Sequence, residues 1–209
     1  MNEESERPIQ LAGVNLRRHR HVCAFFHNRE QEDKVIVPFL KEGIERGERV
    51  YCISGPEMRA HILRKLRLAG IEVARAEKQG QLKMEQWGPA IVRSGHYNQD
   101  AMVGRIDQIL SQGRKEGFGL TRLVGSMKWV GEYNVGIHDL VEYESKLNHM
   151  LQNFNDPVVC AYELSAFHAG VLVDILRTHP VAIIGEVAAE NPFFDAAEVI
   201  LQEISRHNA

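Results

Sequence analysis

The chain has no apolar run approaching the roughly 20 residues needed to cross a bilayer. Its first segment, Met1 to Arg20, is polar and charged, so it carries no apolar centre of a secretion signal. Cysteine is scarce. Cys23, Cys52 and Cys160 are the three, each inside an apolar run. An odd count without regular spacing argues against a disulfide framework and for small buried hydrophobes in a reducing, cytoplasmic setting. There is no excess of one charge either: 25 Lys and Arg against 28 Asp and Glu give a formal net charge of -3. Such a balance exerts no electrostatic pull on nucleic acid or anionic lipid, so neither DNA nor a membrane is expected as a direct partner.

Several catalytic and nucleotide-binding signatures are also missing. A phosphate loop needs glycines, so that backbone N–H groups wrap the phosphates, and a Lys for their charge. The turn after the first apolar run reads His27-Asn-Arg-Glu-Gln-Glu-Asp33, acidic and without glycine, so ATP is not expected there. Gly117-Phe-Gly119 is followed by Arg122 where a dinucleotide fingerprint needs a third glycine. No Gly-x-Ser-x-Gly elbow and no His-Glu-x-x-His motif occurs. A non-catalytic protein is therefore expected.

What is present is a strand–helix alternation. The 209 residues are 44% hydrophobic, enough for one generous α/β domain. Strands are expected at Val22–Phe26, Val50–Ile53, Ile71–Ala74, Leu82–Glu85, Leu120–Val124, Val158–Tyr162 and Val181–Ile184. VCAFF, VVCAY and VAII are apolar without a break, as strands covered on both faces are, and belong at the centre of a parallel sheet. Between them, Ile36/Phe39/Leu40/Ile44, Met58/Ile62/Leu66/Ala69, Met102/Ile106/Ile109/Leu110, Ile137/Leu140/Val141/Leu147/Leu151/Phe154 and Phe167/Val171/Ile175 recur at helical spacing. A last helix is expected near Ala196–Ile204. Ser54-Gly-Pro-Glu57 has the form of a capping box with an early proline. Gly47 and Gly70 stand where helix C-terminal caps stand, and Pro180 should end the fifth helix. Five such alternations make a doubly wound α/β sheet. Residues 1–15 are expected as a polar tail and 16–209 as one domain.

Ligands of open α/β sheets bind outside the carboxyl ends of the strands. Those ends offer Phe26-His27, Ser54, Gln86-Trp87, Ser126-Met-Lys-Trp129 and Tyr162-Glu163. Trp87 and Trp129 would line an apolar pocket with sparse polar handles, or else pack beneath helices. His21 and Cys23, two apart on a strand, project to one face. Imidazole and thiolate together suit zinc or another soft metal, and a buried Cys beside a His at the strand entrance fits the same spacing. Glu142 and Glu144 flank Tyr143 on a helix and do not face each other, which suits a solvated or salt-bridged face. His179 before Pro180 reads as a helix-end group.

Taken in order, His21-Val-Cys-Ala-Phe-Phe26, Pro38-Phe-Leu-Lys-Glu-Gly43 with Glu45-Arg-Gly-Glu48, Thr121-Arg-Leu-Val-Gly-Ser-Met127, Val141-Glu-Tyr-Glu-Ser-Lys-Leu-Asn148, Cys160-Ala-Tyr-Glu-Leu164, Leu176-Arg-Thr-His-Pro180 and Glu190-Asn-Pro-Phe-Phe194 resemble the MEDS sensory domain from about Leu16 to Phe194. The resemblance implies a RecA-like three-layer α/β/α fold with a mostly parallel central sheet and no working nucleotide site. It implies a sensor of a small organic ligand of the hydrocarbon-derivative class, with His21 and Cys23 at the ligand or at a metal ion holding it. His27, Trp87, Trp129 and Glu163 are expected as further ligand contacts from their place at the carboxyl ends of the strands. Relatives usually carry a DNA-binding or kinase module. About 20 residues precede the resembling region and 15 follow it, so output is expected through a partner such as a kinase or transcription regulator. A homodimer is compatible with the fold. The competing readings are an enzyme using Cys23 or Glu163, and a protein-interaction scaffold.

The acidic turn generates a first test. Calorimetric titration with Mg-ATP is expected to show no binding in the micromolar range; micromolar affinity would restore a nucleotide site.

Overall fold

HVCAFF, VVCAYE and VAII lie side by side in a seven-stranded sheet. The structure, a computed structural model, describes residues 8–16, 20–87, 92–93 and 96–207. A hairpin of β1 (Ile9–Leu11) and β2 (Val14–Leu16) leads to β3 (His21–Phe26). Then come α1 (Arg29–Glu45), β4 (Arg49–Ser54), α2 (Pro56–Leu68), α3 (Val73–Lys78) and β5 (Leu82–Gln86). A short ribbon of β6 (Val92–Arg93) and β7 (His96–Tyr97) precedes α4 (Gln99–Lys115), β8 (Thr121–Ser126), α5 (Trp129–Glu132) and α6 (Ile137–Leu151). The chain continues through β9 (Val158–Glu163), α7 (Ala169–Arg177), β10 (Val181–Ile184), β11 (Val187–Glu190) and α8 (Ala197–His207). The sheet order is β11-β10-β3-β9-β8-β4-β5, with β11 antiparallel and the other strands parallel. The architecture is three-layer α/β/α.

Alternation along each strand divides the core in two. Val22, Ala24 and Phe26 of β3, with Val159 and Ala161 of β9, face one apolar cluster under α1, α2 and the β1–β2 hairpin. Cys23 and Phe25, with Val158, Cys160 and Tyr162, face the other cluster under α4, α6 and α7. This second layer also holds a group of buried polar side chains.

Some expectations change. Ile71–Ala74 is not a strand: Gly70 adopts φ +89, the Ile71 N–H returns to the Leu66 carbonyl, and Val73 begins α3. Four alternating residues fit one buried turn of helix as well as a strand, and tertiary packing decided. The capping box at Ser54–Glu57 does not form, because Ser54 closes β4 and the extended Gly55 is the N-cap, without a side-chain cap; Pro56 does occupy the first helical turn. The domain boundary expected at residue 16 falls inside the β1–β2 hairpin, whose Ile9, Leu11 and Leu16 belong to the core. Residues 1–7 of the expected tail lie outside the described residues.

One charged group is buried in the first layer. Arg122 of β8 has no solvent exposure. Its Nε donates to Glu48, its Nη1 donates to the Phe39 carbonyl (2.7 Å) and to Glu42 (2.8 Å), and its guanidinium lies 4.8 Å from the Phe39 ring centre. Gly43 makes room for it, since a Cβ there would stand 2.7 Å from Arg122 Cδ. Removing one partner of a buried pair leaves the other uncompensated, at about 3–5 kcal/mol. Arg46 also reaches Glu48 at 2.9 Å, which keeps the penalty near the lower end. Arg122→Met is therefore expected to lower the unfolding free energy by about 3 kcal/mol in urea titration; a loss near zero would show that the pair contributes nothing.

Candidate functional site

Four polar side chains meet in the second layer. The parallel pairing of β3 and β9 sets Cys23 beside Cys160 and His21 beside Val158, so His21 and Cys160 open toward the same covering helix. On α6 the stripe Leu140, Leu147 and Leu151 is buried, and Glu144 falls in phase with it at i+4 and i−3. His179 lies in the connection from α7 to β10. The ligand atoms of His21, Glu144, Cys160 and His179 are all within 4.8 Å of one another, and all four residues are buried. Among the described residues this is the one such group of histidine, cysteine and carboxylate.

The contacts are close. His21 Nε2 lies 3.3 Å from Glu144 Oε2 and 3.6 Å from Cys160 Sγ. The Cys160 thiol donates to Glu144 Oε2 at 3.6 Å, and Tyr162 donates its hydroxyl to Glu144 Oε1. The two imidazole rings are 4.1 Å apart, tilted by 37°. His179 Nδ1 sits 3.0 Å from the Ile175 carbonyl and 2.8 Å from Thr178 Oγ1, whose own hydroxyl lies 2.7 Å from that carbonyl. A carbonyl can only accept, so Nδ1 carries the proton and Nε2 keeps its lone pair. That Nε2 is buried without a hydrogen-bond partner and points at Glu144 Oε2, 3.5 Å away. Asn191 holds the turn by donating to the Leu176 and His179 carbonyls, at 2.6 and 2.8 Å.

Burial dominates the protonation. It lowers His21 to about 3, against a smaller opposing effect of Asn148, and it lowers His179 to about 3, with His21 adding to the effect. The same burial raises Glu144 above the usual carboxylate range, and raises the Cys160 thiol and Tyr162 phenol well above theirs. Burial thus favours the neutral form of each group in the cluster.

The six residues singled out in the sequence do not form one site. His21 is in the cluster. Cys23 is buried beside it, its thiol 3.7 Å from the Val181 carbonyl, and Cys160 takes the place expected for it. Trp87 and Trp129 line an adjoining apolar cavity of about 40 Å³ with Gly125, Met127, Tyr143 and Cys160. Both tryptophans are buried and also pack under neighbouring elements: Trp129 stacks on Tyr97 and meets the edge of Tyr143, and the Trp87 indole donates to Glu132 at 3.3 Å. His27 and Glu163 stay at the carboxyl edge of the sheet. His27 is exposed, and Glu163, paired with Lys128 at 2.7 Å, is held below the usual carboxylate range by it. Glu142 does form the expected surface pair, with Lys146 at 2.8 Å, whereas Glu144 is buried and not solvated. His179 does contact a last-turn carbonyl of α7, but as a neutral, fully buried ring rather than a charged helix-end group.

Sequence comparison reaches the same region. A family profile described as the methanogen/methylotroph, DcmR sensory domain (MEDS) matches residues 20–180. The transcriptional repressor DcmR of Methylorubrum extorquens is 29% identical over 171 residues, which is 81% of this chain and 62% of the repressor. The chain therefore spans about 62% of that relative's length.

The neutral histidines make stability pH-dependent in the metal-free protein. Each takes up a proton on unfolding, because its folded value of about 3 lies below its unfolded value of 6.5. Their contribution is complete above that unfolded value and is lost as pH falls toward the folded one, by about 1.4 kcal/mol per pH unit for each ring. Glu144, shifted upward, works in the opposite direction between its model value of 4.5 and its folded value. In EDTA, His179→Gln is expected to flatten the fall in unfolding free energy between about pH 6 and pH 5 by about 1.4 kcal/mol per unit. Parallel wild-type and variant curves would mean that His179 is charged in the folded state.

Proposed function

The chain belongs to the MEDS family of sensory domains, and from that premise we propose that it binds a small organic molecule of the hydrocarbon-derivative class in the cavity under Trp87 and Trp129 and passes the change in shape to a partner protein. The cavity carries this reading. It lies between the sheet and the helices α4 and α6, it is lined mainly by apolar groups, and Ser126, Gln86 and the Glu85–Arg105 pair supply polar groups around it. Its volume of about 40 Å³ exceeds the roughly 10–15 Å³ that one water needs, which suits a molecule of a few heavy atoms. Apolar walls with few polar handles are the usual make-up of such sites.

Transmission would run through α6. Tyr143 lines the cavity, and the same helix packs on α7 and α8. A ligand that fits one position of α6 better than another shifts the population toward it, and a partner seated on the outer helices reads the shift. The DcmR relative is a transcriptional repressor, so a transcription regulator is the partner class this reading favours, with a signalling kinase as the other. The setting is cytoplasmic in this reading; no helix among the described residues is long and apolar enough to cross a membrane. Catalysis is disfavoured because burial raises the Cys23 thiol and keeps it protonated, while the thiolate is the nucleophile.

Gly125 provides the test. It lines the cavity, and a Cβ added there would meet nothing within 4 Å. Gly125→Val should therefore fill the cavity and leave the fold intact. One- to three-carbon halogenated or oxygenated hydrocarbons are expected to raise the wild-type melting temperature, since a ligand at about 100 times its Kd adds about 2.7 kcal/mol. The variant should lose at least about tenfold in affinity, a difference of about 1.4 kcal/mol. Equal shifts in both proteins would place the ligand elsewhere.

A further inference from the structure

We propose that His21, Glu144, Cys160 and His179 together bind one divalent transition-metal ion of the zinc class. The inference goes beyond the ligand reading and does not depend on it. The geometry comes first. A tetrahedral zinc ion with bonds of about 2.0–2.1 Å to nitrogen and oxygen and about 2.3 Å to sulfur requires ligand–ligand separations of roughly 3.3–3.6 Å. The cluster shows 3.3 Å between His21 Nε2 and Glu144 Oε2, and 3.5 Å between His179 Nε2 and the same oxygen. Cys160 Sγ stands 3.6 Å from both His21 Nε2 and Glu144 Oε2. Four edges of the polyhedron thus have ligand spacing before any ion is placed, and no pair of ligand atoms exceeds 4.8 Å.

The donor chemistry agrees. Two imidazoles, a thiolate and a carboxylate form the mixed nitrogen, sulfur and oxygen set that zinc accepts and that magnesium or calcium, which take oxygen ligands, does not. One lone pair is already aimed: His179 Nε2 is buried, unpartnered and turned into the cluster, while its Nδ1–H is fixed by the Ile175 carbonyl. Ligating histidines usually have such an outer partner; His179 has one, whereas His21 Nδ1 is buried without a hydrogen-bond partner. Tyr162 is the outer partner of the second oxygen of Glu144. Charge also balances. A divalent ion with one thiolate, one carboxylate and two neutral rings sums to zero, so no net charge is buried. The metal set differs from the pair visible in the sequence, because Cys160, and not Cys23, faces the shared space. Cys160 also lines the apolar cavity, which puts the ion one side chain from its wall.

The probe is Co2+, which reports tetrahedral coordination by its intense visible bands and thiolate ligation by a charge-transfer band in the near ultraviolet. The full chain, stripped with EDTA, is titrated with Co2+ and then with Zn2+. The expected result is one equivalent of Co2+ with both signatures, displaced by Zn2+. Cys160→Ser should lose the charge-transfer band and weaken binding by more than about 100-fold, beyond the roughly 10–100-fold that loss of an outer partner costs. Cys23→Ser should keep both signatures. If Cys160→Ser does not fold, His179→Gln must show the same loss of affinity. Gly125→Val should bind Co2+ like the wild type, which separates this result from the ligand test. Wild-type protein that takes up no Co2+ or Zn2+ at micromolar concentration overturns the proposal. So does a charge-transfer band that survives Cys160→Ser and disappears in Cys23→Ser.

Discussion

Glu144 is a carboxyl with no access to water, and the second layer of the protein is organised around it. Leaving such a group without partners costs about 1–3 kcal/mol as a neutral acid and far more as an anion. Three separate elements answer that cost. β9 brings the Tyr162 hydroxyl and the Cys160 thiol, β3 brings His21, and the α7–β10 connection brings His179. None of these groups can move alone, because each sits on an element whose backbone is held by the sheet or, at His179, by Asn191. A buried polar network of this kind rigidifies a core when its members are satisfied and is costly when one is missing.

The strands were readable because both faces of the sheet are covered. VCAFF, VVCAY and VAII admit no polar position; the first two are buried throughout, while VAII is buried at Val181 and Ile183 and ends on the exposed Ile184. The sequence was misleading where local pattern was short or faced solvent. Ile71–Ala74 alternates over only four residues and became the start of α3. β11 escaped notice because one residue of Val187–Glu190 is buried and three are exposed, so no periodicity marks it. The β1–β2 hairpin was hidden for a related reason: its three buried residues are spread through a polar stretch.

The candidate site was legible only in part, and the reason differs residue by residue. His21 stood out because a histidine opening an apolar strand is chemically odd. Cys160 did not, because a cysteine within VVCAY is also a good small hydrophobe, and only the register of β9 against β3 shows what it faces. Glu144 carried a signal in its phase. It follows Leu140 by four residues and precedes Leu147 by three, which puts it on the buried stripe, while its neighbour Glu142 lies off that stripe and pairs with Lys146. Comparing the two glutamates with each other concealed this; comparing each with the leucines reveals it. His179 could not be placed from sequence at all, since its position depends on Asn191, twelve residues on, clamping the turn.

The cluster and the apolar cavity share walls, and this bears on how a sensor of this shape would work. Tyr143 lines the cavity and Glu144, the next residue of α6, anchors the cluster. Cys160 belongs to both. Consecutive residues of a helix cannot move independently, so a ligand pressing on Tyr143 must either displace α6 as a body or leave it still. Displacing it would stretch the Glu144 contacts, and those contacts resist. A cluster that holds Glu144 more firmly therefore makes the helix stiffer toward the ligand. Coupling between two such sites is typically about 1–3 kcal/mol and is reciprocal. If a ligand displaces α6, whatever tightens the cluster would change ligand affinity by the same factor by which the ligand changes the affinity of the cluster.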